Sequence, residues 1–237
     1  MEYEDKDLLD LYAVKDEEHR YTMFDPIRGY LGDLDGKAIL DIGCGSGALA
    51  NELSKSAARV VGVDSSEGWI RRCTNTYDRE NLSFIGARAD DLGVFADGFF
   101  DIVVMNMVMP NIYDSAEVGR IFKEIRRVVR KSGDVVFSDL HPVCIMAGHE
   151  GNRRQVFPDG FSYFKDGARF TAIVKVRDDK EIAFSDSHWS LGFYSDVLRE
   201  NDIRIMKIIE SKYPENAPEK FFRYSFPEYI IFCCRAA

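Results

Sequence analysis

Short runs of β-branched and apolar residues alternate along the chain with stretches whose apolar positions recur every three or four residues. Runs of the first kind read as buried strands, and stretches of the second as helices with one apolar face. Strands are predicted at Ala38–Ile42, Arg59–Val63, Leu82–Gly86, Asp101–Asn106 and Asp134–Asp139. Helices are predicted at Ala48–Ser56, Ser66–Tyr77 and Ala116–Arg130. The last carries the stripe Val118, Ile121, Phe122, Ile125, Val128 and Val129. Strands and helices in this alternation build a mostly parallel sheet covered on both faces.

The pattern changes after Asp139. The stretch Phe157–Phe184 is rich in aromatics and places Lys165-Asp166-Gly167 between two strand-like runs, a hairpin signal, with a second turn at Arg177–Lys180. Helix Phe193–Glu200 and strands Ile203–Glu210 and Tyr229–Cys234 then resume the earlier alternation, so the aromatic stretch reads as an insertion. The expected fold is a single α/β domain with a Rossmann-like, doubly wound, mostly parallel seven-stranded sheet. An antiparallel C-terminal edge strand and a small antiparallel cap complete it. Its aromatics, Phe157, Phe161, Tyr163, Phe164 and Phe170, read as the buried face of that hairpin more than as a ligand cage.

One segment carries chemistry. In Ile39-Leu40-Asp41-Ile42-Gly43-Cys44-Gly45-Ser46-Gly47 a buried strand runs into a glycine-rich turn and then a helix. Glycines there permit positive φ and let a ligand lie against bare main chain. The same residues also satisfy GxGxxA, the dinucleotide fingerprint, and both readings want the acidic residue Asp64 at the end of the second strand. Asp41 separates them. Its charge at the mouth of the loop would repel a pyrophosphate and attract an ammonium group. Gly47, a third glycine that the dinucleotide fingerprint does not need, points the same way.

With these residues the sequence resembles the class I methyltransferases, in particular the bacterial small-molecule group called type 11 or type 12. Leu40–Gly47 is similar to their first motif and Val61-Gly62-Val63-Asp64-Ser65-Ser66 to their second. Ala89-Asp90-Asp91-Leu92 with Asp97–Asp101 resembles their acidic loop and fourth strand, and Ile125–Gly133 the helix and turn before the fifth. His19-Arg20, His141-Pro142 and His188 stand where one subgroup carries histidines. The resemblance implies S-adenosylmethionine as cofactor, bound along Gly43, Cys44, Gly45 and Ser65, with S-adenosylhomocysteine as product. It further implies Asp64 on the ribose hydroxyls, Ala89 and Asp90 at the adenine, Asn106 at the methionine end and Arg20 on the methionine carboxylate. Arg88 stands where the family often has an acidic residue. Residues 1–35 would then form a helical lid whose Tyr12 closes over the cofactor, 36–140 the cofactor-binding core, 141–190 the cap and 191–237 the rest of the sheet.

Transfer to oxygen or nitrogen of a small metabolite calls for a base, and histidine suits it. His141, at the carboxyl edge of the fifth strand, and His188 are the catalytic candidates; His19 belongs to the lid or to solvent, and His149 to a loop. A nucleotide-dependent oxidoreductase and a non-catalytic S-adenosylmethionine-binding module are the rival readings.

Composition narrows the picture. A net charge of -9 disfavours a phosphate backbone as partner. The basic cluster Arg126, Arg127, Arg130 and Lys131 reads as the solvated end of a helix. No apolar run is long enough to span a bilayer, and the acidic N-terminus has no leader pattern, so a cytoplasmic monomer or homodimer is expected. Five cysteines without zinc spacing imply reduced thiols, with neither disulfide nor metal.

Overall fold

The computed structural model describes residues 15–147, 149–150, 153–175, 181–215, 217–219 and 225–237. Five strands follow in order: β1 (Ala38–Ile42), β2 (Arg59–Asp64), β3 (Leu82–Gly86), β4 (Phe100–Asn106) and β5 (Val129–Leu140). Strands β6 (His149–Glu150), β7 (Arg153–Val156), β8 (Ala168–Lys175) and β9 (Glu181–His188) precede β10 (Ile203–Glu210) and β11 (Tyr229–Ala236). The main sheet has the order β10-β11-β5-β4-β1-β2-β3. β1 through β5 run parallel, whereas β11 pairs antiparallel with both β5 and β10. The C-terminal strand is thus antiparallel, one place in from the edge strand β10.

The parallel strands are buried on both faces because helices cover both. Helices Glu67–Thr76, Ser115–Val128 and Leu191–Glu200 start at Ser66, Asp114 and Ser190, whose side chains accept backbone N–H groups of the first turn. On one face Phe137 of β5 stacks on Phe232 at 4.7 Å and packs against Phe122 and Tyr194. On the other, Met23, Phe24 and Ile27 join Leu49, Leu53 and Val60.

β6 through β9 form a separate antiparallel sheet, fastened to the end of β4. Ser187 Oγ donates to the carbonyls of Met109 and Pro110, and Trp189 Nε1 to that of Met109. β7 pairs antiparallel with β8, and β8 with β9. Lys165-Asp166-Gly167 lies in residues 157–167, the connection that joins the paired strands β7 and β8, and the turn predicted at 177–180 lies outside the described residues. Phe157, Phe161 and Phe170 cluster there with centroids 4.4–6.0 Å apart, while Phe164 stands exposed.

In the basic cluster Arg126 and Arg127 occupy the last turn of the helix Ser115–Val128, and Arg130 and Lys131 are exposed. Arg127 binds Glu124, Asp97 and the carbonyls of Leu92 and Phe95, Arg126 donates to the carbonyl of Ala237, and Arg130 pairs with Asp101. These arginines tie the helix Ser115–Val128 to neighbouring loops. No helix among the described residues is long and apolar enough to cross a membrane.

Phe137 is the central ring of its face. Phe137→Ala is expected to cost about 3–5 kcal/mol, read as a lowered denaturation midpoint with an unchanged fold by circular dichroism.

Candidate active site

The parallel strands deliver their last residues to one edge, where a cavity of about 480 Å³ opens. Its first half is built on the turn after β1. Gly43, Gly45 and Gly47 all have positive φ. A Cβ at Gly43 would lie 2.3 Å from Val108, and one at Gly45 would meet nothing within 4 Å. Gly43 is therefore required by close packing, while Gly45 turns bare backbone toward open space. The register of β1 on β2 sets Asp64 beside this turn. Its carboxylate accepts the N–H of Gly45 at 3.0 Å and that of Ser66 at 2.8 Å, joining the glycine turn to the start of the next helix.

Asp41 lies deeper on the wall, 2 % exposed, and its Oδ2 has no hydrogen-bond partner. Burial foremost, and then the charge of Asp64, push its carboxyl up to about 8. Residues 15–19 are helical and pass over the glycine turn, bringing Lys15, Asp16 and His19 to the wall. Burial raises Asp16 to about 6, against a hydrogen bond from Ser46 and the charge of Arg72. Ser65, Ala87, Arg88 and Ala89 close the far end.

The second half faces the end of β4 and the cap. Asn106 accepts a hydrogen bond from Ser138 Oγ at 2.5 Å, and Ser138 also accepts from the backbone N–H of Met107. Met107 holds φ of 57°, a left-handed conformation costly for a non-glycine residue and common at working sites. Phe24, Pro110, Ile112, Val174 and Phe184 form an apolar wall, with Asp186 from β9 and Tyr229 from β11. Tyr229 is fixed by Ser211, whose Oγ accepts its N–H, and its hydroxyl lies 3.3 Å from His19 Nε2.

Of the residues singled out in the sequence, Asp41, Gly43, Cys44, Gly45, Asp64, Ser65, Ala89 and Asn106 meet in this one cavity. Tyr12 lies outside the described residues. Arg20 is on the N-terminal helical segment but not on the wall. Asp90 is held by Arg88 at 2.8 Å and Arg120 at 3.3 Å, whose hydrogen bonds keep its carboxyl below the usual range, and it is not among the residues lining the cavity.

Neither catalytic histidine candidate reaches the cavity. His141 Nδ1 accepts the N–H of Val143, which places the ring proton on Nε2, 3.1 Å from Glu210 Oε1. It caps the helix Pro142–Ala147. His188 ends β9 instead of opening a helix, is fully buried, and donates from Nε2 to the carbonyl of Tyr163 at 2.9 Å. Burial lowers the pKa of both rings. Tyr229 is the residue that sequence reasoning missed, and His19, expected on the lid or in solvent, lies beside it on the cavity wall. The one available signal was the antiparallel last strand, whose first residue must lie at the carboxyl edge of its neighbours.

All five cysteines are buried and none is in a disulfide. Among the described residues no group of three or more His, Cys, Asp and Glu could hold a metal ion.

Residues 40–137 match the family described as a methyltransferase domain, a stretch that runs from within β1 to within β5. Over that stretch, somewhat under half of the chain, the sequence is similar to methyltransferase domains. The ubiquinone biosynthesis O-methyltransferase of Acinetobacter baylyi is 30% identical over 115 residues, 47% of each chain. The fatty-acid O-methyltransferase of Mycolicibacterium smegmatis is 31% identical over 112 residues, 46% of this chain and 39% of that one. The chain thus spans about half the length of the curated relatives it matches. Among solved structures, an S-adenosylmethionine-dependent methyltransferase from Clostridium acetobutylicum aligns with a TM-score of 0.66 at 15% identity, covering 96% of this chain and 98% of that one. Magnesium protoporphyrin IX methyltransferase from Synechocystis, solved with bound S-adenosylhomocysteine, aligns at 0.59 and 16% identity over 93% and 84%. At these identities the structures speak for the methyltransferase fold alone.

A carboxyl whose folded pKa is raised takes up a proton on folding, so its contribution to stability declines as pH rises from the unfolded to the folded value and stays lost above it. For Asp41 that window ends near its folded value of about 8. Above the range of Asp16, between roughly pH 6 and 8, the ligand-free protein should lose stability as pH rises, and Asp41→Asn should flatten that slope. Melting temperatures of the two proteins across this range check it.

Proposed function

We propose that the protein transfers a methyl group from S-adenosylmethionine to oxygen or nitrogen of a small molecule, without a metal ion, in the cytoplasm. One observation carries this reading. A single cavity joins a glycine turn with two carboxylates, Asp41 and Asp64, to an apolar wall with a histidine and a tyrosine.

The residues present fit the cofactor. The unpartnered, buried Oδ2 of Asp41 is what a methionine ammonium would satisfy, and the bare backbone at Gly45 leaves room for a ligand against the turn. Asp64, whose oxygens each retain acceptor capacity, would take the ribose diol. Ala89 main chain would meet the adenine, with Ser65 beside it. Asn106 would face the methionine end. The cofactor supplies a methyl group on a positively charged sulfur, already a good leaving group. The protein's share is therefore chiefly alignment, which contributes up to about 7–11 kcal/mol.

The curated relatives named for methylation of oxygen support a small-molecule acceptor. The antiparallel β11 also sets this sheet apart from the dinucleotide-binding order, in which the strands run 3-2-1-4-5-6. Buried cysteines outside any disulfide suit a reducing compartment.

Thermal unfolding with S-adenosylmethionine, S-adenosylhomocysteine, NAD and NADP in turn tests the reading. A ligand that binds only the folded state raises the midpoint. Shifts with the first two alone are expected; a shift with a dinucleotide instead would overturn it. By calorimetry, Asp64→Ala should weaken S-adenosylhomocysteine binding by roughly tenfold or more, because a ribose diol would lose its acceptor.

A further inference from the structure

The acceptor half of the cavity contains a pair that the sequence reading left unused. β11 runs against its neighbours, so its first residue, Tyr229, pairs with Leu140 at the carboxyl end of β5. The same edge receives Asn106 from β4. The Tyr229 main chain is locked by two bonds with Ser211, one to its Oγ at 2.8 Å and one from its N–H at 2.9 Å. Its ring meets the His19 ring edge-on at 5.4 Å, and its hydroxyl faces His19 Nε2 at 3.3 Å. Both side chains line the cavity. Charged and titratable groups surround the pair. Lys15, Asp16 and Glu18 share its helical segment, Glu228 precedes Tyr229, Asp186 stands on the cap, and Tyr213 donates to Glu18 at 2.6 Å.

We propose that the acceptor is a hydroxyl compound of the phenol class, and that Tyr229 and His19 form the relay that takes its proton. This rests on the methyl-transfer reading given above. The acceptor oxygen forms a bond to the methyl carbon as the carbon–sulfur bond breaks, and that electron pair stays on sulfur. The acceptor proton passes to the Tyr229 oxygen while the Tyr229 proton passes to His19 Nε2. The result is methyl ether, neutral thioether and imidazolium, and the imidazolium then returns its proton to water. Glu18 stands near enough to His19 for the two charges to attract.

The walls argue for an aromatic acceptor. Phe24, Phe184, Pro110 and Ile112 line this part of the cavity, where an aromatic ring would make apolar contact. A neutral phenol at physiological pH needs a base, and a histidine placed to receive its proton contributes about 10²–10⁴-fold.

The probe is 4-nitrophenol, whose colour reports its ionisation, bound to the protein with S-adenosylhomocysteine present. Wild type should favour the ionised form on binding, and His19→Gln and Tyr229→Phe should each weaken that preference while keeping the thermal shift with S-adenosylhomocysteine. With S-adenosylmethionine, His19→Gln should lose about 10²–10⁴-fold on unsubstituted phenol. It should lose far less on 4-nitrophenol, much of which is already ionised. Equal losses on both phenols, or none, would overturn the relay. Wild type that methylates amines but no phenol would overturn this inference and keep methyl transfer. Wild type that binds S-adenosylmethionine and methylates neither would overturn both.

Discussion

The carboxylate of Asp64 is the contact on which the site depends. It accepts one N–H from the glycine turn after β1 and one from the start of the following helix. Parallel pairing of β1 with β2 fixes its height, and the positive φ of Gly43, Gly45 and Gly47 lets the turn reach it. Shift either strand by one residue and Asp64 would point to the other face of the sheet. The same register places Asp41 beneath the turn, close enough for the charge of Asp64 to help raise its pKa.

That arrangement holds free energy in reserve. A carboxyl buried with one oxygen unpartnered is costly in the ligand-free protein, and a strained Met107 stands on the same wall. A cation at Asp41 would relieve the first cost on binding, so affinity and folded-state stability oppose each other here. The carboxylates gather at the glycine turn, and the Tyr229–His19 pair faces the cap. The cavity thus divides into a half suited to a cation and a diol and a half suited to an aromatic molecule.

Most of this core was legible in the chain. Strands such as Ala38–Ile42 and helices such as Ser115–Val128 carry their period in side chains that are buried by local geometry, and Gly43 and Asp64 are fixed by short-range turn chemistry. What was not legible depends on distant pairings. His141 and His188 stand where candidate bases are expected, yet Val143 and Glu210 claim the one and the Tyr163 carbonyl the other. Asp90 pairs with Arg88 and with Arg120, the second of these thirty residues along the chain. His19 and Tyr229 meet across 210 residues, a contact no local pattern announces. Lys165-Asp166-Gly167 ends the connection between the antiparallel β7 and β8, but the aromatics before it pack as a cluster and extend no strand.

The central claim is that the glycine turn, Asp41 and Asp64 form one cofactor site. A crystal structure with S-adenosylhomocysteine bound tests it most directly. The account predicts the ribose hydroxyls on the Asp64 carboxylate, the ammonium within reach of Asp41 Oδ2 and the thioether sulfur facing Tyr229 and His19. A ligand lying elsewhere, or one whose ribose bypasses Asp64, would contradict it.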